Sequence, residues 1–133
     1  MSTEFRKLII YVHALPGRAL SPNYSRFMHW AHRAIARKIW REAVYYAAVD
    51  VRNKTKDWQA LDKAVTNLTF VFKVKRRHDA DNLLAMFKAG QDSLVSAGIL
   101  VDDDTEHLTI GKIKVAVNKE LAPLTIIEIQ EVK

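Results

Sequence analysis

The sequence has no cysteine, only four glycines and three prolines among 133 residues, and no long apolar run. Without thiols, neither a disulfide framework nor a thiolate zinc site is available. The five histidines are scattered without ligand spacing, so a bound metal is expected to be held by oxygen. None of the glycines is clustered, which excludes a glycine-rich phosphate loop. The start, MSTEFRKLII, is followed by neither a long apolar segment nor a small-residue cleavage site. A cytoplasmic protein without a membrane partner is therefore expected.

What is present is enough for one core. At 133 residues and 49% hydrophobic, the chain has the size of one domain, 1–133, and one site is expected rather than a division of labour. Lysine and arginine outnumber acids 21 to 15, for a net charge of +6. That sign fits a polyanionic partner such as nucleic acid, although many basic proteins merely carry a solvated basic surface.

Alternation around Leu8, Ile10 and Val12 predicts a strand near 6–13, closed by Pro16-Gly17. Residues 27–51 lack glycine and proline and predict a long helix. Leu68, Phe70, Phe72 and Val74 predict a strand ending near Lys75, followed by a helix over 80–97 that Gly98 stops. Two further strands are expected over 108–117 and 124–132. The order gives an α/β (α+β) domain, with a mixed sheet of about four strands packed by two main helices.

The long helix has two candidate faces. At about 100° per residue, Met28, Ala31, Ile35, Ile39 and Tyr46 fall within a sector of about 80°, the expected buried stripe. Arg26, Trp30, Arg33, Arg37, Trp40 and Arg41 gather within roughly 100° on the far side. Arginines interleaved with tryptophans suit contact with a nucleic-acid backbone or exposed bases; an ordinary solvated face with each Trp folded inward is the bland alternative.

Chemistry concentrates between residues 76 and 104, in Arg76-Arg77-His78-Asp79-Ala80-Asp81-Asn82 and, past the helix, Asp102-Asp103-Asp104. Phosphodiester hydrolysis uses a hard cation, and Mg²⁺ binds through a few carboxylates, water and substrate phosphate. At helical spacing Asp81, Lys88 and Asp92 share a face to within roughly 40°. This suggests that Lys88 binds phosphate and Asp92 orients a ligand; an exposed ion pair between them is the bland reading. Asp79 also suits an N-cap, Asp81 the helix dipole and Asp102 to Asp104 a solvated turn. An EF-hand is excluded, because the alternating ligands, central glycine and closing glutamate are missing after Asp102.

The segment RRHDADNLLAMFKAGQDSLVSAGILVDDD resembles the signature of RusA-type Holliday junction resolvases, and SPNYSRFMHWAHRAIARKIWREA resembles their early N-x-x-R-x-x-H-W and W-R helix. The resemblance implies a homodimeric, Mg²⁺-dependent endonuclease, with Mn²⁺ as a substitute, that makes paired nicks in four-way junctions. It implies Asp79, Asp81 and Asp103 as metal-binding and catalytic residues, with Lys88 as the helix lysine. Asp92, Asp102 and Asp104 stand as further candidate ligands. Arg33, Arg37, Arg41, Arg76 and Arg77 are the candidate DNA contacts. The family is common in phages and prophages, which would place the chain in a bacterial host cytoplasm. The competing functions are a non-catalytic dimer that binds branched or single-stranded DNA, and an adaptor whose basic face serves a protein partner.

Overall fold

A computed structural model describes residues 5–22 and 30–132. Strand β1 (Lys7–Val12) and a 3-10 turn (Arg18–Leu20) precede helix α1 (Trp30–Lys54). Strand β2 (Ala64–Phe72), helices α2 (Ala80–Lys88) and α3 (Asp92–Ser96), and strands β3 (Leu108–Val117) and β4 (Leu124–Glu131) follow. The sheet order is β1-β4-β2-β3, with β2 and β3 parallel and the other pairs antiparallel. The fold is therefore mixed α/β with a four-stranded mixed sheet, as the alternating runs predict. Among the described residues no helix is long and apolar enough to cross a membrane.

One sheet face makes the core. Leu8, Ile10 and Val12 stand opposite Ile129, Ile127 and Thr125, and these oppose Thr66, Leu68 and Phe70 on β2. All nine are buried. Strand β3 closes one edge and carries a bulge between the pairs Thr66–Ile110 and Leu68–Ile113. The Asn67 Oδ1 accepts from the Lys112 N–H at 2.7 Å, satisfying a donor that the bulge takes out of the ladder. A Cβ at Gly111 would stand 2.3 Å from the same oxygen, so any other residue there would displace the Asn67 side chain that locks the bulge.

Helix α1 is turned about half a revolution from the expected orientation. Ile35, Ile39 and Tyr46 are exposed, while Trp40, Val44 and Ala48 are buried, with Ala36, Ala43 and Ala47 packed behind them. The physical reason is fit: the alanines permit close approach, and one large indole fills the remaining space. Trp40 donates from Nε1 to the Phe87 carbonyl at 3.0 Å and meets the Phe87 ring edge-on. A Cβ at Gly90 would lie 2.7 Å from the indole, so the segment after α2 approaches only because position 90 has no side chain. Arg26, Phe27 and Met28 lie outside the described residues.

That contact breaks the helix expected over 80–97. Between α2 and α3 the bonds run Gly90 N to Phe87 O, Gln91 N to Lys88 O, Ser93 N to Gly90 O and Leu94 N to Gln91 O, the tighter 3-10 pattern. Two main helices thus become three. Gly98, at φ +79°, ends α3 as its sequence position predicts. Strand β2 begins at Ala64 and stops at Phe72, earlier at both ends than the expected strand, because Leu124 and Thr125 provide partners only as far as Phe70 and Val71, and β3 as far as Phe72.

Gly90→Ala is expected to lower stability by about 1–3 kcal/mol, although alanine favours helical backbone by about 1 kcal/mol. Gly17→Ala, where a Cβ would meet only Ala36 at 3.7 Å, should stay within about 0.5 kcal/mol. Denaturant midpoints at unchanged slope measure both, and a neutral Gly90→Ala would reject the tight contact.

Candidate functional site

Helix α2 begins at an aspartate cap. Asp79 has extended backbone, and its Oδ1 accepts from the Asp81 N–H at 2.8 Å and the Asn82 N–H at 3.4 Å. The structural role expected of Asp79 is thus present, and one of its oxygens is committed to it. Both Asp79 and Asp81 are exposed. Asn82 accepts from the Ser21 hydroxyl at 3.1 Å, tying the 3-10 turn to the start of α2. His78, just before the cap, stacks on Phe72 with ring centroids 3.9 Å apart.

Between the 3-10 turn and the segment after β2 lies a groove of about 880 Å³. Arg18, Lys73, Arg76 and Arg77 line it, and among the described residues the single carboxylate on its wall is Asp79. Arg76 and Arg77 are where the sequence places DNA contacts. Arg18 and Lys73 were not legible as partners of this site, because no local spacing links a 3-10 turn to a strand end more than fifty residues later in the chain.

The second acidic cluster folds into a compact loop. Asp102 Oδ1 accepts from the Asp103 N–H, and Asp104 Oδ1 accepts from the Glu106 and His107 N–H groups. The His107 ring contacts Asp104 through Nδ1 at 2.6 Å and Asp62 through Nε2 at 3.6 Å. This hydrogen bond with Asp104, reinforced by the charges of Asp104, Asp62 and Asp102, raises the His107 pKa against the opposing effect of desolvation. The Asp104 pKa is lowered, chiefly by the same side-chain bond.

Asp102, Asp104 and His107 each offer one ligand atom within 4.8 Å of the others, the one such metal-compatible group among the described residues. Asp79, Asp81 and Asp103 do not belong to it. An imidazole beside two carboxylates departs from the all-oxygen set expected from sequence, and such a donor set suits Zn²⁺ or Mn²⁺ better than Mg²⁺, which prefers oxygen ligands. The Asp104-x-x-His107 spacing was the available signal for this histidine.

The acidic clusters sit at opposite ends of β2. His78 stacks on Phe72 at the strand's end, whereas the His107 carbonyl accepts from the Ala64 N–H at its start. The strand between these anchors spans roughly 25 Å. Gln91, through Nε2 to the Asp103 carbonyl at 3.4 Å, joins the Asp103 backbone to the helical segment.

Of the shared face expected for Asp81, Lys88 and Asp92, Asp81 and Lys88 remain together on α2, seven residues apart, and Asp92 lies beyond the break. The 3-10 break rephases Asp92, which instead pairs with Arg41 at 2.7 Å; Lys88 is exposed at the end of α2. Arg33 and Arg37 are exposed as expected, and Arg37 and Arg41 line a second groove of about 450 Å³. Trp40 leaves that face for the core, and Trp30 remains exposed. No protein-family model matches the chain, and no curated protein matches it at a significant level.

An NMR titration of His107 should give a midpoint above 6.5, and Asp104→Asn should bring it down towards that value. The raised folded-state pKa means that this group's contribution to stability is complete below about 6.5 and is lost as pH rises through the folded value. For Asp104 the sign reverses: its contribution is present above the unfolded value and is lost as pH falls through the lowered one. A His107 midpoint at or below 6.5 would overturn this account.

Proposed function

We propose that the protein is a Mg²⁺-dependent, structure-selective endodeoxyribonuclease that resolves four-way DNA junctions by paired phosphodiester cleavage, acting as a twofold dimer. The observation that carries this reading is the groove that holds Arg18, Lys73, Arg76 and Arg77 with Asp79 on its wall. Cations that attract a phosphodiester stand beside a carboxylate that suits a hard cation. The likeness of the RRHDADN and VDDD segments to the RusA-type signature adds the reaction class.

In this reading Arg76 and Arg77 hold the backbone, while Asp79, Asp81 and Asp103 hold the ion, with Asp102 and Asp104 beside Asp103. Bound Mg²⁺ supplies Lewis-acid polarisation of a phosphoryl oxygen and an acidified water. Because the clusters flank opposite ends of β2, the reading takes Asp79 and Asp81 from one protomer and the partner's Asp103 for each site. A twofold axis then gives two equal sites, as paired nicking requires. The same separation favours the second reading, a dimer that binds branched DNA without cutting it.

A synthetic four-way junction, with Mg²⁺ or chelator, separates the two. Asp81→Asn should reduce single-turnover cleavage by orders of magnitude while binding persists or tightens, since a carboxylate beside the phosphate is neutralised. Mixing inactive Asp81→Asn and Asp103→Asn proteins tests the shared site: mixed dimers regain one intact site and nick one strand. Failure to complement would place each site within one chain. Wild-type protein that binds junctions but cuts none with Mg²⁺ or Mn²⁺ would leave the binding function.

A further inference from the structure

The groove beside Asp79 differs from a surface that merely attracts duplex DNA. Its cations come from two separated pieces of chain, Arg18 on the 3-10 turn and Lys73, Arg76 and Arg77 after β2. Its lining is also apolar, with Leu15, Phe72, Leu83 and Met86 sharing it with those cations. Leu83 and Met86 belong to the buried core, so this lining is backed by α2, and the Ser21–Asn82 hydrogen bond braces the 3-10 turn against it. Phosphates alone need cations and no apolar lining; a duplex keeps its bases stacked inside and presents sugar and phosphate outward. A concave groove whose lining mixes cations with apolar and aromatic side chains suits a strand whose sugars and bases are uncovered.

From this the geometry points to a single-strand channel: the groove takes one unpaired nucleic-acid strand, and Arg18 and Lys73 are positioning residues that hold its backbone across from Arg76 and Arg77. The assignment rests on the nucleic-acid reading above and adds the form of the substrate. At a branched junction the strand that parts from its complement at the crossover is the one that enters. Asp79 then lies beside that strand and not beside the continuous arms. The exposed arginines of α1 are left to the flanking duplex.

Binding in chelator tests this without reliance on cleavage. Labelled oligothymidylate and a hairpin duplex of the same length are titrated with the full chain over a range of salt. Wild-type protein should prefer the single strand. The double variant Arg18→Ala/Lys73→Ala should bind oligothymidylate at least about tenfold more weakly, with its salt slope shallower by about 1.4, the release expected from two lost contacts to a single strand. Lys112→Ala/Lys114→Ala, on strand β3, should match wild type.

Unchanged oligothymidylate binding in the groove variant overturns the assignment, as does an equal loss for duplex without any single-strand preference. Protection of Lys73 from acetylation by oligothymidylate, measured on wild-type protein, provides a result that needs no folded variant; an unprotected Lys73 counts against the channel. Single-strand binding through this groove with no junction cleavage in Mg²⁺ would keep the channel and reject the nuclease. Cleavage by a protein whose groove variant binds normally would do the reverse.

Discussion

The seating of the Trp40 indole against Gly90 is the constraint on which the helical layer depends. It directs the alanine-rich face of α1 towards the sheet and leaves Ile35, Ile39 and Tyr46 outside. It also forces the chain after α2 into a tighter turn, since the Phe87 carbonyl accepts from both the indole and the Gly90 N–H. Around this contact Ser93 donates to the Arg41 carbonyl, Arg41 pairs with Asp92, and Arg52 donates to the Ala97 carbonyl at the end of α3. Helices α1 and α3 are thus joined by polar bonds that flank an apolar contact. Truncation of the indole would remove packing worth about 3–5 kcal/mol and leave those polar groups without a fixed geometry.

The candidate site inherits its shape from that layer. Leu83, Met86 and Phe87 anchor α2 in the core, so its first turn, with Asp79 and Asp81, is held at the C-terminal end of β2. The return path through α3 and Gly98 delivers Leu100 to a parallel bridge with Leu61, before β2 begins. The acidic loop from Asp102 to Asp104 is therefore set by the same crossover that makes β2 and β3 parallel. Within that loop Asp104, Asp62 and Asp102 favour the protonated form of His107, and a cation bound there would compete with its proton.

Strands β1 and β2 were legible because alternation has only two phases and a buried inner face selects one of them, whereas β3 and β4 were legible from β-rich composition between turn residues. Leu108–Val117 coincides with expectation, while Lys7–Val12 and Leu124–Glu131 differ from it by single residues at their ends. Helix phase was not legible in the same way. Helix α1 carries large apolar residues on one side and alanine, valine and tryptophan on the other, so residue count alone favours the wrong face. The break at Gly90 depends on a tryptophan fifty positions earlier, and periodicity within 80–97 contains no trace of it. Both acidic clusters and Arg76-Arg77 stand out in the sequence as runs of like charge, and Arg76 and Arg77 line the groove beside Asp79. The separation of the clusters along β2, and the approach of Arg18 and Lys73, are products of long-range topology.

Strand β3 gives the sheet an unusually guarded border. Its outer edge is open, yet the Asn67-locked bulge interrupts the regular spacing of amide and carbonyl groups, and Lys112 and Lys114 place charge along the same margin. A foreign strand seeking to extend the sheet there would meet a broken ladder and would have to desolvate ammonium groups. Copies of the protein can thus be crowded together without that border acting as a template for aggregation.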